Sequence, residues 1–72
     1  MERAVHVNVT SFGEGRYQVE VPPGTPTVEE ALRLPGVETT GRRVAVNGHP
    51  AKLSSTVLEG DEITSIPRVR GG

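Results

Sequence analysis

The residues best able to do chemistry in this chain stand together at its end, in the order Arg68-Val69-Arg70-Gly71-Gly72. A carboxyl group on Gly72 is a poor electrophile until it is activated. Attack of its oxygen on the α-phosphate of ATP converts it to an acyl adenylate, which can then yield a thiocarboxylate, a thioester or an amide. An enzyme that does this must thread the chain end into a narrow channel, and Gly71 and Gly72 have no Cβ to obstruct the passage. Docking such a segment costs backbone entropy, so neighbouring residues must supply contacts. Arg68 and Arg70 are suited to pair with carboxylates on the activating enzyme.

Other candidates carry less. His6 and His49 stand in the sequence without a carboxylate or second histidine at ligand spacing, and no metal site is expected. The chain has no cysteine, which excludes a disulfide framework, a thiolate metal site and a cysteine nucleophile. No nucleophile, base and orienting group occur as a set, so no catalytic residue is assigned and the chain is not expected to be an enzyme. Gly13-Glu14-Gly15 lacks the following helix that a phosphate cradle requires. Glu14, Glu59, Asp61 and Glu62 read as solvated turn residues.

The elements that position the terminal segment follow from periodicity. Val5, Val7 and Val9 alternate with His6, Asn8 and Thr10, the period of a strand with one wet face. The turn chemistry of residues 11–15 and the renewed alternation of Tyr17, Val19 and Val21 complete a hairpin. Pro22-Pro23-Gly24 stops it. A short helix is expected to begin at Thr27, which with Glu30 forms a capping box. Val28, Ala31 and Leu32 make its apolar stripe, and Pro35-Gly36 ends it. Residues 42–46 form a third strand with Val44 and Val46 inward, Asn47-Gly48 a tight turn, and residues 50–53 a return segment. Val57-Leu58 is expected to return to the core, Glu59-Gly60-Asp61 to turn, and residues 62–67 to form the last strand. In that strand Ile63 and Ile66 cannot share a face without a bulge. With Ile63 in the core, Ile66 is either an outward apolar anchor for a partner or a bulged or half-buried rim residue. Phe12 at the hairpin tip is either a binding residue or, more often for such a position, a lid on the end of the core.

Seventy-two residues, 33% of them hydrophobic, allow one small aliphatic core. Eight basic residues against nine acidic ones give a net charge of −1, which does not suit a general nucleic-acid binder. No apolar run has the length of a membrane span or of a signal-peptide core, so the cytoplasm is the expected location.

The hairpin and capped helix, Val44-Ala45-Val46-Asn47-Gly48, Leu58-Glu59-Gly60-Asp61-Glu62-Ile63 and terminal Gly71-Gly72 together resemble the ubiquitin-like β-grasp sulfur carriers. This group includes the thiamine-pathway carrier and the small subunit of molybdopterin synthase. Ile66-Pro67-x-Val69-x-Gly71-Gly72 is closer to the molybdopterin-synthase type, while Arg68-Val69-Arg70-Gly71-Gly72 is also similar to the end of ubiquitin. The resemblance implies an α+β fold with a mixed sheet of four to five strands packed on one helix. The last strand would lie centrally, parallel to the first. It divides the chain into a β-grasp domain, residues 1–67, and a flexible tail, residues 68–72. It further implies that Gly72 is adenylated and converted to a thiocarboxylate, that Gly71 serves the threading, and that Leu58, Ile66, Pro67, Arg68, Val69 and Arg70 contact partners. Those partners would be an adenylating enzyme, a sulfurtransferase and a sulfur-accepting biosynthetic enzyme. ATP and Mg²⁺ would be used by the adenylating enzyme, with no cofactor held by the carrier, which would be a monomer when free. A ubiquitin-like modifier joined to lysines and a non-covalent adaptor are the rival readings. Two departures from the family's pattern are a shorter helix and Ser65 at an inward position usually aliphatic.

Overall fold

The structure, a computed structural model, describes residues 3–24, 26–37, 39 and 41–67. Five strands and one helix follow in the order β1 (Val5–Ser11), β2 (Gly15–Val21), α1 (Val28–Arg33), β3 (Arg42–Val46), β4 (His49–Ala51) and β5 (Glu62–Pro67). They form one sheet in the spatial order β2-β1-β5-β3-β4. β5 runs parallel to β1, with Val9 opposite Ile63 and Ser11 opposite Ser65, and antiparallel to β3. The expected α+β, β-grasp arrangement with a central last strand is therefore observed, with five strands.

Alternation decides which face each strand buries. Val7, Val9, Val19, Val21 and Ile63 enter one core with Val28, Ala31 and Leu32 from the helix, joined by Val37 and Val57. Val44, Val46 and Tyr17 pack against this cluster without being fully covered. The first strand continues one residue beyond the expected stretch, because Phe12 N–H donates to Ser65 O at 3.0 Å and carries the parallel ladder to the hairpin tip. The return strand is shifted, occupying His49–Ala51, since the two-residue turn at Asn47-Gly48 aligns Val46 directly with His49. Both turn residues have positive φ, 53° and 82°, as this hairpin type requires. Asn47 also ties the turn to β5: its side-chain oxygen accepts from Glu62 N–H at 3.0 Å, and its amide group donates to Asp61 at 3.0 Å.

The helix is only six residues long and is held by its ends. Thr27 Oγ1 accepts from Glu30 N–H at 3.3 Å, as expected of the cap. The reciprocal half of the capping box is absent: the Glu30 carboxylate instead accepts from Arg33 at 2.8 Å, one turn further along. The first two helical amides are satisfied across the fold, Val28 N–H by Ser55 O at 3.0 Å and Glu29 N–H by Leu53 O at 2.9 Å. At the other end Gly36 N–H donates to Arg33 O and Val37 N–H to Leu32 O, with Gly36 at φ 82°. These are the two bonds of a Schellman closure, and Leu32 and Val37, its apolar pair, are both buried.

The segment before β5 corrects one expectation. Val57 is buried, but Leu58 does not return to the core; it is 67% exposed. Val57 N–H donates to Pro26 O and Leu58 N–H to the Asp61 carboxylate, and this tight Leu58–Asp61 turn directs the leucine outward. No described helix is long and apolar enough to cross a membrane.

Candidate functional site

The chain enters Arg68–Gly72 from the end of β5, so the candidate site is assembled from whatever the fold gathers around Ile66 and Pro67. β1 and β5 end there together, the β1–β2 hairpin turns there, and antiparallel β3 begins there with Arg42 opposite Pro67 and Arg43 opposite Ile66. The register through Ser65 runs without a bulge, which resolves the two isoleucines: Ile63 is buried at 1% exposure and Ile66 lies on the outer face at 39%. One further step of the parallel ladder sets Phe12, 54% exposed, beside Ile66. The outer face at this end thus combines Phe12, Ile66 and Pro67 with Arg43.

The inner face of the same end is polar, and composition alone hides this. Ser65 sits inward as expected and is fully buried, opposite the buried Ser11. Between them lies the guanidinium of Arg42, 14% exposed. It donates to Ser11 Oγ at 2.9 Å, to Ser65 Oγ at 3.3 Å and to Phe12 O at 3.4 Å, and stands 3.6 Å from the Glu14 carboxylate. Ser11 Oγ in turn donates to Glu14 at 2.7 Å. Every buried polar side-chain atom among the described residues has a partner, so the two serines are affordable in place of aliphatic residues. The arginine was legible in principle, since Arg42 shares the two-residue period of Val44 and Val46. An arginine at a strand end otherwise reads as solvent-facing, and only the buried serine pair opposite makes it an inward residue.

Leu58 is not brought to this end. It lies in the loop that feeds the start of β5, whereas Ile66 and Pro67 close the other end of that strand. The same far end gathers a second polar group that the sequence reading missed. His6 there is flanked by two carboxylates, with Nδ1 3.3 Å from Glu59 and Nε2 3.9 Å from Glu20. The backbone N–H of His6 also donates to Glu59 Oε1 at 3.0 Å. That backbone bond, with the side-chain bond and the histidine's charge, holds the Glu59 carboxyl below the usual glutamate range despite slight desolvation. These partners come from β2 and from a loop more than fifty residues away, which spacing along the chain cannot reveal. Among the described residues no group of three or more histidine, aspartate or glutamate side chains is arranged to hold a metal ion.

Charge is consequently divided along the strands. Arg16, Arg42 and Arg43, with Glu14, lie at the end from which the chain leaves β5, and Glu20, Glu59, Asp61 and Glu62, with Arg3, at the opposite end. Arg68, Val69, Arg70, Gly71 and Gly72, the remaining sequence-derived site residues, lie outside the described residues.

No protein-family model matches the chain, and no curated protein sequence matches it significantly. Among solved structures, the ubiquitin of Caldiarchaeum subterraneum is similar over 96% of this chain and 99% of its own, with a TM-score of 0.64 at 21% identity. Identity at that level speaks to the fold, and sheet order, parallel central pair and single crossover helix agree with it: the chain has the ubiquitin-like β-grasp fold.

Proposed function

We propose that this protein is a sulfur carrier that works through the carboxyl group of Gly72. An adenylating enzyme uses ATP and Mg²⁺ to form the Gly72 acyl adenylate, with pyrophosphate leaving. Sulfur supplied at the sulfide level by a sulfurtransferase attacks the Gly72 carbonyl carbon as the bond to the adenylate oxygen breaks and AMP leaves. The resulting thiocarboxylate donates sulfur to a biosynthetic enzyme of the thiamine or molybdopterin type. The carrier contributes no catalytic group. It presents a carboxyl end on an unobstructed pair of glycines, acts as a monomer in the cytoplasm, and lets Arg68 and Arg70 steer the end toward carboxylates on the enzyme.

The observation that carries this reading is the position of Gly71-Gly72 in the sequence, within five residues of a β-grasp fold's last, central strand. Exposed Ile66 and Pro67 next to that exit support partner contact there. Leu58 would serve a separate contact at the far end. Intact-mass spectrometry of the protein from its native host tests the proposal: a fraction of the molecules should carry sulfur in place of one terminal oxygen. Recovery of the acid alone, with the activating enzyme and a sulfur source present, would refute it.

A second reading has its own support. Arg68-Val69-Arg70-Gly71-Gly72 resembles the end of ubiquitin, and the fold is shared with an archaeal ubiquitin. Under this reading the same adenylate is passed to target lysines as an isopeptide. Higher-mass conjugates on a blot, lost when Gly72 is deleted, would distinguish it.

A further inference from the structure

The chain contains a single lysine, Lys52, and the strand register shows where it stands relative to the departing chain end. Ser65 of β5 is opposite Val44 of β3, which is opposite Ala51 of β4. β4 therefore runs in the same direction as β5, and Lys52, the residue after Ala51, falls in the row of Ile66 and Arg43. Two antiparallel spacings separate the backbone of Ile66 from that row's far side, about 10 Å in all. The five residues from Arg68 to Gly72 span up to about 17 Å when extended. The flexible four-carbon stem of an exposed lysine closes the distance further.

Two local features favour the encounter. The backbone at Lys52 is held by a tight turn, its N–H donating to Ser55 Oγ at 3.1 Å and its carbonyl accepting from Ser55 N–H at 3.0 Å. A shallow groove crosses the sheet from Ile66, past Arg43 and Ala45, to Ala51 and Leu53, the two neighbours of Lys52. Its proposed occupant is the segment Arg68–Gly72, which is separated from Ile66 of the groove by one residue in the sequence and whose extended length is enough to cross it.

We propose that Lys52 is the built-in acceptor of the activated Gly72 carboxyl of its own chain. This rests on the reading that Gly72 is activated. The neutral amine Nζ attacks the Gly72 carbonyl carbon and a C–N bond forms. The bond from that carbon to the adenylate oxygen, or to a thioester sulfur, breaks, and AMP or the thiol leaves with the electron pair. The amine proton passes to water. The product is a cyclic chain with a Gly72–Lys52 isopeptide, one water lighter than the free acid and blocked as a carrier. Intramolecular attack benefits from an effective concentration of the order of millimolar for a short flexible connection. An enzyme that activates Gly72 must therefore keep the carboxyl end away from this side of the sheet.

The test bypasses the activating enzyme. The full chain is prepared with Gly72 as an alkyl thioester and incubated dilute at mildly alkaline pH, and intact mass and peptide mapping follow the products. Expected is a monomeric species one water lighter than the acid, linked Gly72 to Lys52, formed at a rate unchanged by tenfold dilution. It should be lost in Lys52→Arg, which retains the charge. Hydrolysis alone at equal rates in both proteins, linkage to the amino terminus, or only dilution-sensitive dimers would each overturn the proposal. None of these results bears on whether the native protein carries sulfur.

Discussion

At the residue scale, two groups set the local character of the two ends. Arg42 is a nearly buried cation whose hydrogen bonds hold Ser11, Ser65 and the Phe12 carbonyl together. Arg42→Ala leaves the buried Ser65 hydroxyl without its donor, while Ser11 keeps its bond to Glu14, and is expected to destabilise the fold by about 1–3 kcal/mol. Urea denaturation measures this, and an unchanged midpoint would contradict the account. At the other end, Glu59 accepts from the His6 backbone and ring. Its carboxyl is held below the ordinary value of 4.5, first by the backbone bond. A lowered folded-state value means that the contribution to stability is fully present above the unfolded value. It is lost as pH falls through the folded one. Titration of the Glu59 side-chain carbon by NMR should give a midpoint below 4.5. The midpoint should move up in His6→Pro, which removes the backbone donor and the imidazole together.

At the scale of elements, α1 shows how little helix suffices when both ends are tied. Six residues are too few to persist alone. The Thr27 cap, the two carbonyls from residues 53 and 55, and the Gly36 closure replace what length would supply. Leu32 is the side chain that anchors this arrangement, with no exposed surface. Leu32→Ala is expected to cost about 2–5 kcal/mol. A domain of this size has a total stability of about 4–11 kcal/mol, so thermal unfolding should shift down sharply or begin below room temperature. The strands were readable from period two, and the Asn47-Gly48 turn from the need for positive φ at both positions. Thr27 was readable as a cap, but the partner of Glu30 was not, because Arg33 on the next turn competes for the same carboxylate.

At the scale of the whole molecule, the sheet order brings Arg16, Arg42 and Arg43 to the end from which the chain departs, while Arg42 is matched there by Glu14. Among the described residues Arg16 and Arg43 form no ion pair, and under the proposed function they would steer an acidic partner together with Arg68 and Arg70 of the sequence. If the proposed function holds, Arg43→Glu is expected to slow association with the adenylating enzyme by about tenfold or more at low salt, and by less as salt rises. Stopped-flow binding across ionic strength checks this, and a salt-independent rate would count against it. The last member of the described core cluster is Ile63. Removing Gly71 and Gly72 should leave the melting temperature unchanged and, under the proposed function, abolish pyrophosphate exchange by the activating enzyme. A deletion variant that still supports exchange would end the carrier reading.

Local signals were enough to recognise the hairpins, the capped helix, the valine faces and the glycine pair, because each depends on neighbours a few residues away. The position of β5 between β1 and β3 is different: it pairs β5 with a strand some fifty residues away and with one about twenty away, and pattern suggested it only with the help of resemblance. That placement turns Ile66 outward and Leu58 away from it, sinks Arg42 between two serines, and sets Glu59 beside His6. It also aligns Lys52 with the strand that precedes Gly71-Gly72 in the sequence. Periodicity tells a strand which side to bury, whereas register across a sheet is chosen by the packing of all five strands at once.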